Sequence, residues 1–324
     1  MRRGKLLNRL ATFLCCGCML LLLVGGVCPE SAAGSGEAAF QRLKCGESEF
    51  FIYPPKPRPG QALAVFCRPL RADAVAFKRV RFAGRSFLLE KISGGWRGVV
   101  AIPLGTAPGS HALIFETGAG ARQELTLEVV AHDYGEQRLT LPKKMVTPMR
   151  PETLAKIKSD RKLLRRVYGS SGGRLLFHDE IAPPLHSRLT STFGRRRLLN
   201  GKPKAPHGGI DYKAPVGVPV PAAGDGRVVL AGNLYYSGNI VIIDHGLDIF
   251  TLYMHLSRID CHPGDVVRRG QIIGRSGRSG RVTGPHLHWG VKIAGVFVDP
   301  LEFAGLSRLL VEPPWNREPV RSRN

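Results

Sequence analysis

The chain has 324 residues, 43% of them hydrophobic and 7% aromatic. That length suits about two domains with cores of their own, and the apolar share excludes wholesale disorder. Lys and Arg exceed Asp and Glu by 22, which predicts attraction to polyanions.

Residues 1–33 read as a signal peptide. Arg2, Arg3, Lys5 and Arg9 precede an uncharged stretch over 11–27, and Ser31-Ala32-Ala33 supplies a small-residue cleavage site. The alternative is an uncleaved membrane anchor, since the apolar run is near spanning length. A lipoprotein site fits poorly, because Gly25, Gly26 and Val27 precede Cys28. Export places the chain in the periplasm or cell envelope. Its polyanionic partners there are wall polymers, lipopolysaccharide and anionic lipid, and nucleic acid is not expected. Without the signal the excess is +19 of the original +22, since four basic residues and one acidic residue leave. Three cysteines remain. Cys45 and Cys67 could form a bridge in an oxidising compartment or stay as two buried thiols; Cys261 is a lone loop thiol.

Residues 34–131 predict an immunoglobulin-like β-sandwich. Short apolar runs such as Phe50-Phe51-Ile52-Tyr53, Leu63-Ala64-Val65-Phe66 and His111-Ala112-Leu113-Ile114-Phe115 alternate with turn signals, giving about six strands. This part holds no cluster with metal-ligand spacing. Residues 132–182 form a connector with a short basic helix over 153–168, ended by the glycines of 169–173. Residues 183–305 predict a compact antiparallel β-domain, with no helical period of useful length. A basic tail, 306–324, reads as mostly unstructured after Val311. The fold class is therefore mainly β.

Six of the ten histidines fall between 207 and 288. In Pro206-His207-Gly208-Gly209-Ile210-Asp211 the paired glycines disfavour a helix and favour a loop entering a strand. The backbone can then come close to a metal. In Pro285-His286-Leu287-His288, a strand puts both imidazoles on one face and Leu287 on the other. Asp211 with two histidines makes an N/N/O set that suits zinc and leaves a fourth position for water. Leu252-Tyr253-Met254-His255-Leu256 adds another imidazole. Five ligands would leave no reactive water, so two of the imidazoles are free to act as general base and oxyanion stabiliser. Each motif alone is weak, and a lone histidine is usually a satisfied polar residue. His245 reads as a hydrogen-bonded turn residue and His262 as an exposed one. The run 274–281 reads as a mobile basic loop, since it lacks the full Gly-x-Ser-x-Gly spacing of a serine nucleophile.

The combined text resembles the lysostaphin/LytM-type zinc endopeptidases. It comprises His207-Gly208-Gly209-Ile210-Asp211, Gly238-Asn239-Ile240-Val241-Ile242-Ile243-Asp244-His245-Gly246, Thr251-Leu252-Tyr253-Met254-His255-Leu256, Gly270-Gln271-Ile272-Ile273-Gly274, Thr283-Gly284-Pro285-His286-Leu287-His288 and Val298-Asp299-Pro300-Leu301. The likeness covers about residues 185–303, with a looser one for Thr192-Phe193-Gly194-Arg195-Arg196-Arg197 and for the upstream domain. It implies one zinc ion per chain, held by His207, Asp211 and His288, with His255 and His286 as the catalytic pair. It implies peptidoglycan as substrate, with D,D-endopeptidase cleavage of cross-links or stems, and latency where upstream segments cover the groove. The alternative is a non-catalytic wall-binding or amidase-activating protein of the same fold, which the complete set of five positions disfavours.

Overall fold

The computed structural model describes residues 40–71, 76–140 and 150–316. The signal segment lies outside these residues. Among the described residues, no helix is long and apolar enough to cross a membrane.

Eight strands open the fold: β1 (Gln41–Cys45), β2 (Ser48–Tyr53), β3 (Ala62–Pro69), β4 (Phe77–Phe82), β5 (Arg85–Ile92), β6 (Gly95–Ala101), β7 (Gly109–Thr117) and β8 (Arg122–Val129). Their order is β1-β2-β3-β6-β5-β4-β7-β8. Strand β5 turns this path into two layers. Its first half pairs with β4 and its second half with β6. Aromatic rings from both layers fill the space between, with Phe50 and Phe115 centroids 4.5 Å apart. The sequence reading missed β1 and β5. Strand β1 is an edge that exposes alternate residues, and β5 changes layers midway, so neither shows a sustained apolar run.

Cys45 and Cys67 are free thiols, not a bridge. The register explains it: β2 lies between them, with Cys45 opposite Ser48 and Cys67 opposite Phe50. Neighbouring strands stand about 4.8 Å apart, so two strand spacings exceed the reach of a disulfide.

The connector supplies β9 (Glu136–Leu139) and α1 (Pro151–Tyr168). Next come β10 (Leu189–Ser191), β11 (Arg196–Leu199), β12 (Lys202–Lys204), β13 (Ile210–Lys213), β14 (Pro219–Pro221), β15 (Gly226–Leu234), β16 (Gly238–Asp244) and β17 (Ile249–Leu256). The chain continues through β18 (Arg258–Ile259), β19 (Val266–Val267), β20 (Ile272–Arg275), β21 (His286–Ile293), β22 (Val296–Val298) and α2 (Pro300–Val311). The main sheet runs β10-β13-β21-β17-β16-β15-β19, with β22 on β21, and all its pairings are antiparallel. One face carries Tyr253, Leu287, Trp289 and Val291 into a core continuous with that of the sandwich. The other carries Ile240, Ile242, Phe250 and Leu252 under Leu163, Leu164, Val167 and Tyr168 of α1. Asp160 of α1 accepts from the backbone N of Tyr235 at 2.8 Å, and Lys156 donates to the carbonyl of Asn233.

Helix α2 was not foreseen, and it carries order past 305. Asp299 caps it, accepting from the backbone N of Leu301 and Glu302, and Pro300 occupies its first turn. It packs Phe303, Leu306 and Leu310 into the core. Beyond it, Trp315 reaches back to the sandwich, against Phe51 at 5.7 Å and Phe66 at 6.0 Å.

Candidate metal centre

Pairing of β13 with β21 sets Asp211 directly opposite His288. Such cross-strand partners project to one face with Cβ atoms about 5 Å apart. His207 arrives from the loop before β13. Its backbone is pinned there, accepting from the N of Gly194 at 2.9 Å and donating to the carbonyl of Arg195 at 3.1 Å. Gly209 permits the approach: a Cβ there would lie 2.4 Å from the Trp289 carbonyl and 2.7 Å from His288 Nε2.

The result is a triangle of donor atoms. Asp211 Oδ1 is 3.1 Å from His207 Nε2 and 2.8 Å from His288 Nδ1, and the two nitrogens are 3.1 Å apart. Zinc bonds of about 2.0–2.1 Å in a tetrahedron demand edges of roughly 3.3 Å, so the triangle fits. All three side chains are buried, at 0%, 9% and 9% exposure for His207, Asp211 and His288. They are the one group of His, Cys, Asp or Glu among the described residues that could hold a metal.

Charge in the site follows from burial and contact. Burial alone would push the Asp211 carboxyl up, but its close contacts with the His207 and His288 rings outweigh it and hold the carboxyl far below its usual range. Burial pulls His207 down, keeping it neutral and fit to bind a cation.

His255 and His286 stand beside the triangle, ring centroids 4.8 Å apart. His286 Nε2 is 3.8 Å from Asp211 Oδ1. Its Nδ1 donates to the Gly284 carbonyl at 2.9 Å, and His255 Nδ1 donates to the Ser279 carbonyl at 2.9 Å. In the neutral form each ring therefore has its lone pair at Nε2. His255 sits at a break in the β16–β17 register with φ of 66°, a backbone state unusual for a side-chain-bearing residue. Burial, then the neighbouring His288 and His286 rings, lower its pKa to about 3.

The remaining histidines lie elsewhere. His245 is fully buried between the Asp225 carbonyl and Thr251 Oγ1, at 2.6 and 2.7 Å, and is neutral. His262 and His178 are exposed. The run 274–281 is tied down: Ser276 Oγ donates to the Pro215 carbonyl, and Ser279 Oγ donates to the Leu256 carbonyl. Neither hydroxyl is a free nucleophile. Sequence reasoning missed three neighbours of the centre. Ser191 Oγ lies 3.0 Å from His207 Nδ1, Arg197 Nη2 lies 3.6 Å from Asp211 Oδ2, and Gln137 joins these two. Only the basic run before His207 hinted at Arg197.

The sequence pattern of Peptidase family M23 matches residues 205–300. A crystal structure described as a peptidase M23 from Pseudomonas aeruginosa aligns with 77% of this chain and 96% of its own, at 30% identity and a TM-score of 0.57. Peptidoglycan DD-endopeptidase ShyA of Vibrio cholerae is 50% identical over 109 residues, 33% of this chain and 25% of that protein. DD-carboxypeptidase/endopeptidase Mpg of Neisseria meningitidis is 42% identical over 124 residues, 38% of this chain and 29% of that protein. The chain thus spans between a quarter and a third of the length of these two relatives.

Proposed function

Because this chain belongs to peptidase family M23, of the LytM/lysostaphin type, we propose that it is an exported zinc endopeptidase acting on bacterial peptidoglycan. The bond we assign is the D,D cross-link or stem amide, a reading supported by the names of the relatives matched over the metal sheet. The observation that carries it is the buried triangle of His207, Asp211 and His288, with two further imidazoles at its open side. Three protein ligands and one vacancy is the pattern of a catalytic rather than a structural zinc.

Zinc held there supplies Lewis acidity towards a carbonyl oxygen and brings the pKa of water towards neutrality. His255 and His286 act as the acid–base pair. Each presents a lone pair at Nε2, so either ring can accept the proton of the attacking water. Once charged, that ring donates to the oxygen or amine that gains electron density. The carbonyls of Ser279 and Gly284 fix the tautomers that make this direction of transfer available. The basic surface draws the chain to anionic envelope polymers.

The test is digestion of purified sacculi by the full chain. Zinc-loaded protein should convert cross-linked muropeptide dimers to monomers, seen by mass spectrometry. A chelator should stop it and added zinc restore it. Intact cross-links after exposure to zinc-saturated protein would sink the reading.

A further inference from the structure

Strand β9 comes from the connector, upstream of α1, yet it pairs in parallel with β11 and sets Gln137 opposite Arg197. The Gln137 Oε1 atom accepts twice: from Arg197 Nε at 3.2 Å and from Ser191 Oγ at 3.3 Å. Both donors continue to the metal centre. Arg197 Nη2 is 3.6 Å from Asp211 Oδ2, the oxygen turned away from the donor triangle. Ser191 Oγ, having spent its proton on Gln137, accepts from His207 Nδ1, which also donates to the Thr192 carbonyl at 2.8 Å.

The donor and acceptor roles are consistent throughout. An amide oxygen has two lone pairs, and here both are used. The hydroxyl is thereby oriented to share the His207 N–H with the Thr192 carbonyl, an arrangement that leaves Nε2 as the metal-facing nitrogen. The guanidinium is likewise oriented towards Oδ2, which leaves Oδ1 as the metal-facing oxygen. Burial lowers the Arg197 pKa, and Asp211 opposes that effect.

We propose that Gln137 is a positioning residue for the metal centre, bracing His207 through Ser191 and Asp211 through Arg197. A segment far upstream of the matched peptidase sequence is then part of the site. The proposal rests on the zinc reading above. Partners of this kind orient ligands, and their loss typically weakens metal affinity about 10–100-fold.

The experiment uses the full chain with Gln137→Leu, which removes the acceptor, and Gln137→Glu, which keeps it. Zinc affinity is read by competition with a chromophoric chelator, and ligand geometry by the visible spectrum of the cobalt-substituted protein. Gln137→Leu should bind zinc about 10–100-fold more weakly, shift the cobalt bands and lower kcat with KM unchanged. Gln137→Glu should restore affinity and spectrum. Should Gln137→Leu fail to fold, Ser191→Ala and Arg197→Gln probe the two arms separately, and each should weaken zinc. Variants with wild-type zinc affinity and an unshifted cobalt spectrum would overturn the brace alone. A wild-type chain with no zinc affinity would overturn the zinc reading and the brace with it.

Discussion

Both halves of the molecule bury a carboxylate, and the surroundings differ in kind. In the sandwich, the Glu49 side chain is 0% exposed and meets the guanidiniums of Arg42 and Arg68. Burial alone would raise its pKa, but the two arginines hold it below the usual range. In the sheet of the candidate centre, Asp211 meets the imidazoles of His207 and His288, whose nitrogens converge on one oxygen. Fixed cations close the first site. In the second, the one nearby guanidinium, Arg197, faces Asp211 Oδ2, which leaves Oδ1 and the two imidazole nitrogens converging on a point where an added cation can sit.

Breaking the ligand set gives the largest effect. His207→Ala or Asp211→Ala should abolish zinc binding and hydrolysis together, as measured by metal analysis and sacculus digestion. His286→Ala comes next: it should retain zinc yet lose about 10²–10⁴-fold in kcat, the usual worth of a positioned acid–base group. Wild-type digestion by that variant would remove His286 from the mechanism. On the sandwich side, Glu49→Leu leaves two arginines without their carboxylate. It should cost about 1–3 kcal/mol in urea unfolding, with zinc affinity unchanged.

The last effect concerns acid. Burial pushes His245 down to about 4 from an ordinary 6.5. Between those values the unfolded chain takes up a proton that the folded chain refuses. Stability is therefore full above pH 6.5 and falls as pH drops towards 4, by up to about 1.4 kcal/mol per unit for this one group. Chelator-treated wild type should lose more stability between pH 7 and pH 5 than His245→Gln does. Equal losses would show that His245 does not set the acid limit.

The sequence made the candidate metal centre legible because its candidate ligands sit in motifs whose local geometry is nearly forced. Alternation on β21 puts His286 and His288 on one side, and Gly209 allows contact that no side chain could share. The sandwich strands with sustained apolar runs were equally visible. What stayed hidden depends on distant partners. Strand β5 switches layers, β9 pairs with a strand more than fifty residues ahead of it, and Gln137 has no motif of its own. Helix α2 did carry local signals, the Asp299 cap and Pro300, but they follow a long β pattern that draws the eye to strands.

Trp315 closes a mechanical loop. The chain leaves the main sheet of the second domain through α2 and ends its described course with Trp315 packed against Phe51, Phe66 and the Arg68 guanidinium of the first layer. A force applied at the C-terminal side would peel that indole away before any tension reached β21. A single-molecule pulling trace should record release of that contact as a separate, weak first event.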